Sequence, residues 1–317
     1  MRFSVIIPLY NKAPYVAKAI GSVLAQTFTD YELVVVDDGS RDDSAEMAAK
    51  AMAGRPDCRL IRQENAGVSM ARNNGVTASQ GDYLCFLDAD DWWEPTFLEE
   101  MSKLIEEFPD AGIYGTSYTI VNETRHKTRV APIGVAAGFE KGYINYCQVY
   151  AKTLAMPLTS ISVAIPRPVF DEMHGFPKGI KLGEDFLLWI RIALNYKVVL
   201  LNKPLSNYNQ DVEVAFRGTH HLHEPKCHML WHLGALEPLE KSNPDYKQLI
   251  DKLRTYSLMN YLLNKQYRDA SRMELAKVDW NQQPAHIQKL YRYPVWILQL
   301  RQYILKTGSR IKQYLMR

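Results

Sequence analysis

Missing from this 317-residue sequence is any uninterrupted apolar run near the roughly 18 residues needed to cross a bilayer as a helix. No cleavage site follows the opening strand-like run Phe3-Ser4-Val5-Ile6-Ile7, so no signal peptide is expected. The four cysteines, Cys58, Cys85, Cys147 and Cys227, lack any Cys-x-x-Cys pair or cysteine–histidine ligand spacing. That argues against a disulfide framework or a zinc site and for reduced thiols on a cytosolic face. Two phosphate-binding signatures are absent as well. No Gly-x-Gly-x-x-Gly follows the first strand, which disfavours a dinucleotide-binding dehydrogenase, and no Gly-x4-Gly-Lys-Ser/Thr supports a P-loop. Charge of one sign is not in excess. With 38 Lys and Arg against 35 Asp and Glu, a net charge of +3 is too small to argue for nucleic acid. There is no internal repeat and no low-complexity tract. What remains, 47% hydrophobic and 23% charged residues over this length, is enough for a large core in one big domain or two smaller ones.

The first hundred residues alternate short apolar runs of strand length with segments of helical period, the pattern of a parallel α/β sheet with crossover helices. Strands are expected at Phe3 to Ile7, Glu32 to Val36, Arg59 to Arg62 and Tyr83 to Leu87. A helix beginning near Pro14 places Val16, Ile20, Val23 and Leu24 on one face. A second follows Ser40, with Ser40 and Asp43 as a capping pair, and a third runs from near Gly67 to about Thr77. From about Ala111 the pattern changes. A strand-like piece spans Ile113 to Val121, polar and Gly-containing stretches follow, and a helix at Glu184 to Asn195 precedes a strand at Val198 to Leu201. After roughly Glu224 nearly everything has helical period. The expected organisation is residues 1–110 as a ligand-binding half, 111–224 as a second lobe and 225–317 as a helical, basic region.

In open α/β sheets, ligands sit beyond the carboxyl ends of the strands. Three such ends are rich in polar groups: Pro8-Leu9-Tyr10-Asn11, Asp37-Asp38-Gly39-Ser40 and Asp88-Ala89-Asp90-Asp91. Two carboxylates about 4 Å apart repel by roughly 4 kcal/mol at an effective dielectric near 20, so a cleft that gathers several calls for protons, solvent or a cation. All-oxygen ligands favour Mg2+ or Mn2+ over zinc. A blander explanation for Asp88, Asp90 and Asp91 is an acidic turn before a helix starting near Pro95. Asp37 and Asp38 equally suit an ordinary Asp-Gly turn. The conjunction of three loops on one sheet edge favours a site.

The segments SVIIPLYN, VVVDDGSRDDS, ENAGVSMARNNG and GDYLCFLDADDWW resemble the nucleotide-binding half of family 2 glycosyltransferases of the GT-A fold, in the family's order through residues 3 to 93. The resemblance implies a sugar transferred from a nucleotide diphosphate donor, uridine the expected base, with a divalent Mn2+ or Mg2+. It implies that Pro8, Tyr10, Asn11 and Asp38 line the base and ribose. Asp88 and Asp90 would form the DxD motif, Asp90 as metal ligand and Asp88 nearer the ribose, with Arg72 approaching the diphosphate. Trp92 offers a face on which a sugar ring can stack, although paired tryptophans more often divide between core and surface.

Further on, Gly183-Glu184-Asp185 opens an amphipathic helix. First-turn acids are ordinary there, because they suit the positive end of the helix dipole. The resemblance implies instead that Asp185 is the catalytic base and Glu184 its support, so that transfer proceeds by single displacement with inversion. Family members often complete the site with a later histidine or arginine, and the candidates are Arg217, His220, His221 and His223. The expected acceptor is a hydroxyl of a glycan or lipid-linked glycan in surface polysaccharide or lipopolysaccharide assembly. Transfer to a polyprenyl phosphate and a catalytically silent nucleotide-binding module are the alternatives.

After Asp279 no acidic residue appears, while Lys289, Arg292, Arg301, Lys306, Arg310, Lys312 and Arg317 interleave with Trp296, Ile297, Leu300 and Ile304. A basic amphipathic helix of this kind suits an anionic membrane surface, here the inner face of the cytoplasmic membrane. It equally suits a helix packed on the catalytic domain.

Overall fold

The computed structural model describes residues 1–122, 124, 126–211 and 222–304. The chain divides into two compact units, Met1–Met229 and one beginning at Leu230.

In the first unit, β1 (Phe3–Leu9) and β2 (Tyr31–Asp37) are apolar along nearly their whole length because both faces are covered. They pair in parallel with each other, with β3 (Cys58–Arg62) outside β2 and β4 (Tyr83–Phe86) outside β1. The intervening helices are α1 (Val16–Leu24), α2 (Ser44–Ala51) and α3 (Val68–Thr77). Alternation along β2 sorts the helices: Leu33 and Val35 join the core that holds Val16, Ile20 and Val23 of α1, while Val34 and Val36 pack with Ala71 of α3 on the other face. Each such side chain, fully buried, contributes about 1.5–3 kcal/mol. On this second face α3 comes very close, since a Cβ on Gly75 would lie 2.5 Å from Ile6 Cγ2 and 3.2 Å from Val36 Cγ2.

Among the described residues ten strands form one sheet in the order β3-β2-β1-β4-β9-β6-β10-β5, with β7 on β6 and β8 on β10. The added strands are β5 (Trp92–Trp93), β6 (Ala111–Asn122), β7 (Lys127–Val130), β8 (Lys141–Ile144), β9 (Val163–Pro166) and β10 (Lys197–Asn209). Parallel pairing holds across the first four strands and between β6 and β10. β9, antiparallel to both β4 and β6, joins these two parallel blocks. Helices α4 (Phe97–Glu107), α5 (Tyr146–Thr153), α6 (Arg167–Glu172) and α7 (Glu184–Asn195) complete the unit.

The expected Ser40–Asp43 capping pair does not form. Ser40 Oγ instead accepts from the Asn11 N–H at 3.1 Å, and Asp42 Oδ1 accepts from the Ser44 N–H at 3.1 Å. The strand expected at Val198 to Leu201 continues to Asn209 through register shifts around Pro204. A proline and two intervening polar residues hide that continuity from a period-2 reading.

The second unit is helical: α8 (Leu239–Ser242), α9 (Pro244–Ser257), α10 (Met259–Leu263), α11 (Arg268–Leu275), α12 (Ala285–Arg292) and a helical stretch over 295–304. Its centre contains a charge cluster. Arg254, fully buried, donates from Nη1 and Nη2 to the two carboxylate oxygens of Glu240 at 2.7 Å each and pairs with Asp251 and Glu274. No described helix is long and apolar enough to cross a membrane.

Candidate active site

Register places Leu9 beside Asp37, and the chain leaves β4 next to Ile6 of β1, so the loops after β1, β2 and β4 share one sheet edge. In the first loop Asn11 takes a left-handed backbone (φ 50). Its N–H donates to Ser40 Oγ, and its Oδ1 accepts from the Arg41 N–H at 2.8 Å. Asn11 therefore ties the β1 and β2 loops together. Tyr10 projects at the rim, 40% exposed, and Pro8 is half-buried.

Asp38 is buried, and its carboxylate is engaged with the loop before α3. Oδ1 accepts from Gln63 Nε2 at 2.7 Å and the Ala66 N–H at 2.8 Å, and Oδ2 accepts from the Gly67 N–H at 2.9 Å. Three donors on one carboxylate make Asp38 the anchor of the 63–67 loop. The Asp-Gly motif alone carried no sign of this work.

Arg72 is the centre of the site. α3 delivers its guanidinium beneath two loops, where Nη2 donates to Asp88 Oδ1 at 2.7 Å and Ser160 Oγ at 3.1 Å and Nη1 donates to Glu184 Oε1 at 3.0 Å. The carbon of the guanidinium lies 5.0 Å from the Phe176 ring centroid. Next to it, Asn73 clamps the Phe176 backbone, donating to its carbonyl at 2.8 Å and accepting from its N–H at 3.0 Å. Burial opposes the charge on Arg72, but Asp88 and Glu184 outweigh it and hold the pKa above the usual arginine value. One buried cation thus joins the Asp88–Asp90 turn to the Glu184–Asp185 turn, the latter 112 residues beyond Arg72 in the sequence. With only 3% of its side chain exposed, Arg72 meets carboxylates before it meets solvent.

The carboxylates differ in environment. Asp88 is the more open, 31% exposed. Asp90 Oδ2 accepts from Lys12 Nζ at 2.6 Å; burial raises its pKa while Lys12 pulls the other way. Asp91 Oδ1 accepts from the Asn209 N–H at 2.7 Å, and its other oxygen is buried with no partner among the described residues. Burial first, then the charges of Asp90 and Asp88, push the Asp91 carboxyl well above the carboxylate range. Asp185, at the first turn of α7, accepts from the Phe186 N–H at 2.7 Å. Burial and then the adjacent Glu184 charge raise it to about 7, against the lowering pull of Arg72.

Of the five carboxyl groups of Asp88, Asp90, Asp91, Glu184 and Asp185, three are ion-paired: Asp88 and Glu184 with Arg72, and Asp90 with Lys12. This all-oxygen set with surplus negative charge fits a hard divalent cation. Among the described residues no three His, Cys, Asp or Glu side chains form a ready metal cage.

Trp93 belongs to the core, stacked on Phe97 with centroids 4.1 Å apart and donating from Nε1 to the Ile161 carbonyl at 2.7 Å. Trp92 is half-buried, and Lys18 Nζ sits 3.1 Å from its ring centroid, so one face is already taken by an ammonium. Arg217, His220 and His221 lie outside the described residues. Lys12, Ser160 and Asn73 escaped the sequence reading, because nothing in their spacing distinguishes them from ordinary loop and helix residues.

A parallel sheet with carboxylates gathered at its carboxyl edge, extended through β9 into a second parallel block, defines the GT-A class of transferase fold. The family model of Glycosyl transferase family 2 matches residues 4–171, and the chain belongs to that family. Among curated relatives, glycosyltransferase GlyA of Streptococcus pneumoniae is 34% identical over 215 residues, covering 65% of this chain and 30% of GlyA. The chain spans about a third of the length of such relatives. The amylovoran biosynthesis glycosyltransferase AmsB of Erwinia amylovora is 29% identical, covering 74% of this chain and 78% of AmsB. Among solved structures, S. aureus TarS 1–349 in complex with UDP-GlcNAc superposes with a TM-score of 0.61 at 19% identity, over 87% of this chain and 71% of that one. The mannosyltransferase PcManGT of Pyrobaculum calidifontis, in complex with GDP-Man and Mn2+, gives a TM-score of 0.56 at 20% identity, over 99% and 81%. At these identities the likeness is one of fold.

Proposed function

We propose that the protein transfers a hexosyl or N-acetylhexosaminyl group from a nucleoside diphosphate donor, with uridine the favoured base, to a hydroxyl of a glycan or lipid-linked glycan, inverting the anomeric configuration. The observation that carries this reading is the Arg72 bridge, which holds Glu184, the neighbour of the base candidate Asp185, and Asp88 of the acidic turn on one buried cation. Complexes of structural neighbours with UDP-GlcNAc and GDP-Man support a nucleotide-sugar donor. The relative named for amylovoran biosynthesis supports a place in polysaccharide assembly.

Mechanistically, Tyr10 and the loop anchored by Asp38 flank the nucleoside, with Pro8 and Asn11 shaping the floor. Asp88 and Asp90 would hold a divalent cation, which would supply positive charge to stabilise the departing diphosphate. Asp185 accepts the acceptor hydroxyl's proton as the oxygen lone pair forms a bond to the anomeric carbon. The bond from that carbon to the diphosphate oxygen breaks, and its electron pair leaves with the nucleoside diphosphate. Glu184 keeps Arg72 in place and, by its charge, keeps Asp185 basic.

At the C-terminal end, the helix over 295–304 exposes Trp296 (65%), Leu300 (52%), Tyr303 (70%) and Ile304 (60%), a stripe at i, i+4, i+7 and i+8. With the basic, acid-free sequence after Asp279, this supports peripheral contact with an anionic membrane surface.

A screen of nucleotide sugars with Mn2+ or Mg2+, wild type beside Asp90→Ala and Asp185→Ala, tests the assignment. Expected is transfer that stops on chelation and falls by roughly 10²–10⁴-fold in Asp185→Ala, with nucleotide binding retained. Retention of the donor's anomeric configuration would overturn the single displacement, and an absence of any nucleotide binding would overturn the function.

A further inference from the structure

Lys12 stands on the loop between β1 and α1, and its ammonium lies 2.6 Å from Asp90 Oδ2, with both side chains largely buried. Its main chain is fixed from two sides. The N–H donates to Ser44 Oγ at 2.7 Å, and the carbonyl accepts from the N–H groups of Tyr15 and Val16 at 2.9 and 3.0 Å. The preceding Asn11 is locked to the Ser40–Arg41 turn. With the root fixed, any repositioning of the charge falls to the four-carbon stem, and a compact ammonium, unlike a planar guanidinium, passes between anions without a geometric match. It supplies one positive charge at a carboxylate that has the carboxyl groups of Asp88 and Asp91 as neighbours.

We propose that Lys12 is an exchangeable counter-ion of the donor site. In the free protein it neutralises Asp90 and holds that carboxylate against a metal ion arriving alone. When a nucleoside diphosphate arrives with its metal, the ammonium passes from Asp90 to the diphosphate. This rests on Asp90 being a metal ligand, as in the proposed function. The consequence is positive coupling between the two ligands. A metal alone must displace the ammonium, whereas a diphosphate offers the ammonium a new partner and the metal additional oxygens. By reciprocity, the metal strengthens nucleotide binding by the same factor. A lysine with a purely structural role would weaken folding when removed but leave the coupling unchanged.

The test is Mn2+ titration followed by electron paramagnetic resonance of the free ion, with and without UDP, on wild type, Lys12→Met and Asp90→Asn. Lys12→Met is expected to bind Mn2+ without nucleotide about tenfold more tightly than wild type, and to lose most of the gain in Mn2+ affinity that UDP confers. Asp90→Asn should bind Mn2+ poorly in both states. Lys12→Gln, which keeps a polar tip, repeats the comparison should Lys12→Met unfold. Nucleotide-free Mn2+ affinity that is unchanged or weaker in both folded Lys12 variants overturns the proposal while leaving the donor site standing. If wild type binds no Mn2+ even with UDP, the metal assignment of Asp90 is wrong, and the role of Lys12 falls with it.

Discussion

Glu184 and Asp185 are adjacent on α7 yet are placed for different work. Glu184 is paired with Arg72, whereas Asp185 accepts a neighbouring backbone N–H and is raised to about 7. Below that pH Asp185 holds a proton and cannot accept another, so the rate should rise with pH along an acidic limb near 7. Glu184→Gln removes the like charge, so a pH–rate profile of that variant should show the limb moved to lower pH. A limb in the same place would remove Asp185 from the role of base. Stability carries the opposite sign. A carboxyl whose folded pKa exceeds its ordinary 3.8 costs nothing while protonated in both states, costs more as pH rises above 3.8, and costs most above about 7. Asp185→Asn should therefore raise the melting temperature at pH 8 by a few degrees, with the gain fading toward pH 5, while activity is lost. Calorimetry at the two pH values checks this.

At the scale of the element, α3 matters more than its sequence suggests. It is short and carries polar residues through its middle, yet it delivers Arg72 to the two acidic turns and Asn73 to the Phe176 backbone. Its height above the sheet depends on Gly75, where a methyl group would meet Ile6 and Val36. Gly75→Ala must lift the helix or displace Ile6, at a cost of roughly 1–3 kcal/mol, and the guanidinium moves with it. Lower thermal stability with weakened nucleotide binding is the expected result, read by melting and UDP titration. Unchanged binding would show that Arg72 tolerates the shift. β1 to β4, α1, α3 and α7 were legible because long apolar runs and helical period mark them. β5, β7, β8 and β9, of two to four residues, were not, since so short a strand carries no period and forms only because neighbours offer hydrogen bonds.

For the whole molecule, the two units differ in kind. The first is a mixed sheet around an apolar core, and the second is a set of short helices around the buried Arg254 cluster. The exposed stripe on 295–304 predicts an experiment at this scale. Flotation with vesicles containing about one-third phosphatidylglycerol should carry the wild-type chain, more weakly in Trp296→Glu/Leu300→Glu, with loss of binding in high salt. Equal flotation of wild type and double variant would remove the membrane contact, and self-association seen by light scattering in wild type alone would assign the stripe to a second copy.

Local chemistry sufficed for part of this protein. Apolar period marked the parallel half of the sheet, turn residues marked its carboxyl edge, and the acidic motifs lay in an order that a single chain can display. Only the tertiary structure decided how those motifs act together. That Arg72 joins Asp88 to Glu184, that Asp38 is committed to the 63–67 loop, and that Lys12 sits on Asp90 all depend on side chains from distant segments meeting in a space that water has left. Sequence spacing carries secondary-structure period along a chain, but the charge on a buried carboxylate is set by what packs against it, and that is known only once the sheet has brought its loops to one edge.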